Sequence, residues 1–470
     1  MPLPPSLVRD ICAALMRLDA SDTIGMPTSH ALRPEALARK RLRALSSAWR
    51  SIYDAEALRH GILIKGGTQF DPLSAETINA LPQRTRARLI VPLSYFNQDV
   101  TRGDVHKPVE VARTHVAGFV VSLRPDQQGL GLATIGPLIA GSPLLRYLFF
   151  SGDAGAALRV LASFQKTITE RGDVSPLRAL GGHFNIGNAD FARLAFIIAS
   201  RSPRLASLEL RRSPITTQTA QELALAFPPR LRRLDLAMCS IVPADLTRVL
   251  GAVARSTTMR ALDISYLLKR SDVDGGLDPA AANAFANAVD ALRGSSLEQL
   301  DLAGNELGEI SDRIASTLVE MPRLAALSLS GTDFSSPLTL AKAPALHTLT
   351  LKSAELGDRW AEIGPLLARL HALDISSDAA TMQQGAVLTT DDIELLADGA
   401  LQQARSLRVL DVSGSRVGFG GMRALSALLD DGDMPALQKI YFVENESETA
   451  RGVEMLRAAA ARRGVELDID

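Results

Sequence analysis

The chain has 470 residues, 46% of them hydrophobic and only 4% aromatic, with a net charge of −1 and a pI near 6.7. That length and composition support a large buried core, while the near-neutral charge and scarce aromatics argue against general nucleic-acid or acidic-membrane binding. No run of about 18 apolar residues is present to span a bilayer, and two cysteines, Cys12 and Cys239, are too few for a disulfide framework. The opening MPLPPSLVRD lacks a basic stretch followed by an apolar one, so no Sec-type leader is expected.

Two amphipathic helices are predicted in residues 1–60. Leu3, Leu7, Ile11, Leu15 and Leu18 recur at helical spacing, and after a loop-like stretch Leu42, Leu45, Trp49 and Ile52 share a second face. This pattern resembles the F-box, the short helical module that docks on Skp1 in SCF ubiquitin ligases. The family's Leu-Pro opening falls on Leu3 and Pro4, and its later positions fall on Leu7, Ile11, Leu15 and Asp19. Its second half, a hydrophobic and a small residue ahead of Trp and a basic residue, falls on Leu45, Ser46, Trp49 and Arg50. The segment between the halves is longer than is usual in that family, and Ser6 replaces the customary acidic residue. The alternative is that both helices only cap the open end of the array that follows.

Residues 61–115 read as a linker or N-terminal cap, with a strand-like RARLIVPLSYF that sequence alone does not place. Residues 116–204 read as degenerate leading repeats: VAGFVVSL, LLRYLFF and PLRALGGHF keep the spacing of the later units loosely.

From Leu205 one phrase, Leu-x-x-Leu-x-Leu, returns nine times, starting at Leu205, Leu231, Met259, Leu297, Leu324, Leu346, Leu370, Leu407 and Leu437. Successive steps are 26, 28, 38, 27, 22, 24, 37 and 30 residues, which defines a leucine-rich-repeat array over 205–445. The three apolar positions suit a short strand, the following Asn, Gly or Ser a turn, and stretches such as 219–227, 243–254 and 312–321 an outer helix. No unit buries its own apolar face, so neighbours share stability. The 26- and 28-residue steps and α-helical outer side resemble the ribonuclease-inhibitor type, an α/β horseshoe with parallel strands inside and helices outside. The two long steps hold extra polar loops. Residues 446–470 are expected to form a closing helix and strand.

An F-box followed by leucine-rich repeats is a recurring pairing. Richness in Ala, Arg and Leu suggests a GC-rich bacterial genome, and together these features resemble the F-box effectors that plant-pathogenic proteobacteria inject by type III secretion. The Gly-Ala-Leu-Ala phrase of the GALA group is absent. The resemblance implies an adaptor without its own chemistry. Leu3, Pro4, Leu7, Ile11, Leu15, Leu45 and Trp49 would dock on Skp1, and the concave strand face would present a host protein for ubiquitin transfer. It further implies residence in the bacterial cytoplasm, then in the host cytoplasm or nucleus. Two other readings stay open: a plain repeat scaffold, and an effector with its own ligase activity.

The central solvent-facing position of each phrase holds Glu209, Asp235, Asp263, Asp301, Ser328, Thr350, Asp374, Asp411 and Tyr441. Six acidic groups suggest a surface for a basic partner, although Asp is common in that slot and Arg232, Arg233, Arg260, His347, His371, Arg408 and Lys439 lie alongside. Nothing calls for a catalytic residue, a metal or another cofactor. There is no HExxH, CxxC or phosphate loop, and Cys239 occupies the slot where the array usually places a buried, backbone-bonding Asn.

Overall fold

The computed structural model describes strand backbone at 62–63, 89–92 and 118–123, and then residues 136–137, 139–142, 145–184, 187–268, 278–354, 356–377, 388–443, 445 and 450–469. It comprises two compact units, Met1–Pro214 and Ile215–Asp470. The two expected N-terminal helices, with Leu3 through Trp49 and Cys12, fall outside the described residues. Most of the two long inter-repeat loops do as well.

In the first unit six strands pair in parallel, each with the next: β1 Ile62–Leu63, β2 Leu89–Pro92, β3 Gly118–Leu123, β4 Tyr147–Gly152, β5 Ala179–Phe184 and β6 Ser207–Glu209. The three stretches read as degenerate repeats supply β3, β4 and β5. Two further strands precede them, and the LIVP of RARLIVPLSYF is β2. Helices α1 (Ala154–Glu170) and α2 (Ala189–Ser200) follow β4 and β5. Both start on a side chain that takes an orphan amide: Asp153 accepts from Ala156 at 2.6 Å and Asn188 from Asp190 at 2.8 Å. Phe191 of α2 meets Phe184 and Phe150 edge-on, with centroids 4.8 and 5.6 Å apart, and this aromatic cluster seals strand layer to helix layer.

The second unit repeats strand, turn and helical segment. Its strands are β7 Arg233–Asp235, β8 Ala261–Asp263, β9 Gln299–Asp301, β10 Ala326–Ser328, β11 Thr348–Thr350, β12 Ala372–Asp374, β13 Val409–Asp411, β14 Lys439–Tyr441 and β15 Glu466–Asp468. Every strand is parallel to the next and pairs without a slip, so Leu234, Leu262, Leu300, Leu327, Leu349, Leu373, Leu410 and Ile440 stand in one row. That row and the next apolar position, Leu236 through Phe442, are buried. A slip of one residue would turn both rows to solvent, so apolar burial fixes the register.

The outer layer changes character along the chain. It consists of α3 Thr217–Leu225, α4 Pro243–Arg255, α5 Pro279–Asp290, α6 Ser311–Val319, α7 Pro337–Leu340, α8 Gly364–Leu367, α9 Thr390–Leu395, α10 Phe419–Asp431 and α11 Ala450–Arg463. The first begins two residues, and the fourth one residue, ahead of where apolar periodicity put them, since boundaries follow caps: Thr216 and its accepted Thr219 amide start α3. Helices α7 and α8 have only four residues each, matching the shortest repeat steps.

The closing helix and strand form as expected. Arg462 of α11 grips Asp430 of α10 with bonds of 2.7 to 3.0 Å, and its hydrogen bond holds the Asp430 carboxyl below the ordinary carboxylate range. On the strand side, Lys439 is bonded to Glu466 and lies 3.9 Å from Asp468 on β15. Burial opposes the ammonium charge there, but these acids and Tyr441 raise the Lys439 pKa overall.

Within the outer layer, Asp290 joins α5 to α6. Burial disfavours its charge, yet bonds from Thr317, Arg313 and Arg293 outweigh that and lower its pKa.

Candidate protein-binding face

Strand alternation sends the third and fifth residues of each phrase away from the apolar core. The register therefore lines up two columns on the second unit. One runs Arg233, Ala261, Gln299, Ala326, Thr348, Ala372, Val409, Lys439, Glu466; the other runs Asp235, Asp263, Asp301, Ser328, Thr350, Asp374, Asp411, Tyr441, Asp468. The expected residues Asp235, Asp263, Asp301, Asp374, Asp411 and Tyr441 thus share one column. Glu209 ends β6 of the first unit, where it pairs in register with Gly181.

The acidic column has a structural duty that alternation alone did not reveal. Asp235 accepts the Ala237 amide at 3.0 Å, Asp263 the Ser265 amide at 3.0 Å, and Asp301 the Ala303 amide at 2.9 Å. Asp374 does the same with Ser376 at 3.1 Å and Asp411 with Ser413 at 3.0 Å. Each aspartate closes the turn that leaves its own strand, an Asx turn repeated five times. Asp235 is 0% and Asp263 5% exposed, and Glu209 in the first unit is 4% exposed, so these three offer little surface to a partner. Asp301, Asp374 and Asp411 are half-buried, and Lys352 sits 3.3 Å from the second oxygen of Asp374.

The accessible centre of the face is therefore small and neutral. Gln299, Ala326, Ser328, Thr348, Thr350 and Ala372 make up this area, with the half-buried Asp301 and Asp374 at its two ends, Lys352 beside Asp374, and Lys439 and Tyr441 farther along. The Lys439 ammonium lies 4.6 Å from the centroid of the Tyr441 ring. The third column and Lys352 are recognition positions that a reading of the fifth position alone passed over. Their signal was available, because residues two apart on a strand point the same way.

One residue ahead of the strands stand Arg232, Arg260, Glu298, Ala325, His347, His371, Arg408 and Gln438. Arg260 is paired with Glu298 at 3.0 Å, and the His347 and His371 rings stack with centroids 5.2 Å apart and planes 21° apart.

Three residues beyond six of the second unit's fifth-position side chains the backbone turns left-handed: Met238, Tyr266, Gly304, Gly331, Ser353 and Gly414 all have φ between 51° and 67°, while Ser377, three beyond Asp374, does not. The residue after that is the turn slot, buried at Cys239, Asn305, Thr332 and Ser415. Asn305 fills it with bonds from both ends of its amide. Its Oδ1 accepts the Leu267 and Leu268 amides at 2.9 and 2.8 Å, and its Nδ2 donates to the Ile264 and Leu302 carbonyls at 3.1 and 2.7 Å. Asn445 uses the slot similarly, accepting the Ser415 amide at 2.9 Å. Cys239 occupies the same slot, 5% exposed, with its amide bonded to the Leu236 carbonyl at 3.1 Å. Its geometry is that of a turn residue. Among the described residues no three His, Cys, Asp or Glu side chains converge as a metal site, and no helix is long and apolar enough to cross a membrane.

In-register short parallel strands, a shared left-handed turn, a buried Asn slot and an outer helical layer define a leucine-rich-repeat solenoid. No protein-family model matches the sequence, and a search of curated proteins finds no match. Among solved structures the chain is similar to an internalin from Listeria monocytogenes at 13% identity, over 71% of this chain and 82% of that one, with a TM-score of 0.34. The assignment to leucine-rich repeats rests on this chain's own register and turns.

Proposed function

We propose that this protein is a non-catalytic scaffold that binds another protein on the strand face of its second unit. The solenoid would be of the ribonuclease-inhibitor type. The observation that carries this reading is the pair of in-register columns over nine strands, directed away from the apolar core and open to solvent from β9 onward. A row of side chains held by rigid neighbours loses little entropy on binding. The neutral centre with charged borders suits a protein partner, because burying it requires no unpaired charge. If so, Thr350→Arg in the middle of the fifth-position column will abolish partner retention. Ser316→Arg, exposed on α6 of the helix layer, will leave it intact. Loss with Ser316→Arg and retention with Thr350→Arg would place the binding surface on the helices instead.

A more specific reading joins this scaffold to ubiquitin transfer. The F-box-like order of Leu3, Pro4, Leu7, Ile11, Leu15, Leu45 and Trp49 supports docking on Skp1 of a host SCF ligase, with the repeats holding the protein to be modified. The adaptor would be delivered as a secreted virulence effector. Proximity is all such an adaptor contributes. A Leu3→Ala, Pro4→Ala double variant is expected to lose Skp1 in a pull-down while its circular dichroism stays unchanged. Absence of Skp1 binding by the unaltered chain would reduce residues 1–60 to a cap and leave the scaffold reading standing.

A further inference from the structure

The loops that lead into β10, β11, β12 and β13 carry one sign of charge. Residues 321–325, 341–347, 368–371 and 404–408 contain Arg323, Lys342, Arg369, Arg405 and Arg408, together with His347 and His371, and no Asp or Glu. The five cations and His371 are exposed. Acids return at either flank: Glu320, bonded to Arg293, on one side, and Asp430, bonded to Arg462, with Asp431 and Asp433 on the other.

The local backbone fixes this row in space. His347 donates its amide to the Ala325 carbonyl at 3.0 Å, His371 to that of His347 at 2.7 Å, and Arg408 to that of His371 at 2.8 Å. The parallel ladder thus extends one residue ahead of the strands, and His347, His371 and Arg408 stand side by side. Arg369 is anchored as well, with its guanidinium bonded to the Ala343 carbonyl at 2.8 Å.

Helix dipoles account for only part of this row. Basic residues commonly gather at helix C-termini to offset the macrodipole. Of the helical segments behind this edge only α7, with four residues, is short enough to sum few peptide dipoles. Helix α8 continues a 3-10 segment as one run over 357–367, and α9 continues to Gln403 as a run over 390–403, so Arg369 and Arg405 stand just past the ends of such runs. Arg408, His347 and His371 stand four or more residues past the last helical residue, beyond the turn that a helix dipole reaches, and Arg408 and His371 are exposed.

We infer that this edge binds an acidic segment of a partner protein, lying across the strand-entry loops of β10 to β13. The inference rests on the reading of the strand side as the binding surface and names the partner's chemistry. Three strand spacings make about 14 Å, the reach of roughly four extended residues, so a run of four or five Asp or Glu would meet the row. A nucleic acid fits less well. The four loops contain no Phe, Tyr or Trp for base stacking, and Asp374 and Asp411 stand on the same strands three residues farther on, where they would repel a continuous polyanion.

The test is fluorescence anisotropy of the full chain with labelled octaglutamate, octalysine and a single-stranded oligonucleotide. Octaglutamate should bind saturably and weaken with added salt, and octalysine should not bind. The Arg405→Glu, Arg408→Glu double variant should lose at least tenfold in affinity at low salt. Arg255→Glu, away from the row, should match the unaltered chain, and Arg408→Gln provides a milder variant should the double one fail to fold. No saturable octaglutamate binding, binding indifferent to the Arg405 and Arg408 changes, or tighter binding of the oligonucleotide would each overturn the inference. The scaffold reading fails separately, through the Thr350→Arg comparison.

Discussion

Replacement of Asn305 by Ala is expected to be the most damaging single polar change in the second unit. The side chain is 1% exposed and satisfies two amides and two carbonyls of two consecutive repeats. Removing it leaves buried polar groups unpaired at roughly 1–3 kcal/mol each, and water entering the vacated space would recover part of that. A net loss of about 3 kcal/mol follows, a substantial fraction of a typical domain's stability. Hydrogen exchange offers the sharper readout, because the Leu267 and Leu268 amides lose their acceptor directly. Their protection should fall by more than that of the Gly331 amide, which is bonded to Lys352 one repeat farther on. Unchanged protection at 267 and 268 would show that the Asn slot does not hold the repeats together.

Gly414→Ala should come next, and comparison with Gly331→Ala isolates the reason. Both glycines occupy the left-handed turn position, with φ of 67° and 60°. That conformation costs a residue with a β-carbon about 1–2 kcal/mol, a cost the chain already bears at Met238, Tyr266 and Ser353. A methyl at 331 meets nothing within 4 Å, whereas one at 414 would stand 2.1 Å from the Ser377 carbonyl oxygen of the preceding repeat. The neighbour is backbone, so relief requires one repeat to move against the other, at a further cost of about 1–3 kcal/mol. Urea denaturation should therefore find Gly331→Ala mildly destabilised and Gly414→Ala clearly more so. Equal effects at both positions would mean that the contact with Ser377 relaxes freely.

The strand triads, the Asn slot and the closing helix and strand were legible in the sequence, because each rests on a local pattern that tertiary packing reinforces. Leucines at phrase positions one, four and six permit one register, and nine copies leave no ambiguity. Strands β1 and β2 were not legible as repeat strands. They have two and four residues, and ILIKGG and RLIVP do not carry the phrase. The acidic column was placed on the right face but given a role it only partly has. Alternation states where Asp235 and Asp263 point, not that their oxygens turn back onto the amides two residues on. The signal for that was the preference of Asp for Asx turns, which competes with any reading of the column as a binding surface. The basic edge escaped notice because its members are scattered through the sequence between 323 and 408 and meet only when four repeats stack.

These corrections move the recognition surface without changing its kind. Turn-closing aspartates leave a small strip that is neutral along β10 and β11 and ends on Asp301 and Asp374, with cationic loops on its strand-entry side. A partner seated there would present apolar and hydroxyl groups to the strip and carboxylates to the edge.

Site-specific photo-crosslinking tests this account most directly. A benzophenone side chain placed in turn at Ser328, Thr350 and Ala372, and as comparison at Ser316 and Arg423 of the helix layer, reports which surface a bound protein touches. The account predicts one crosslinked species shared by the three strand positions and none from the two helical ones. A species formed from Ser316 or Arg423 and absent from all three strand positions would contradict it.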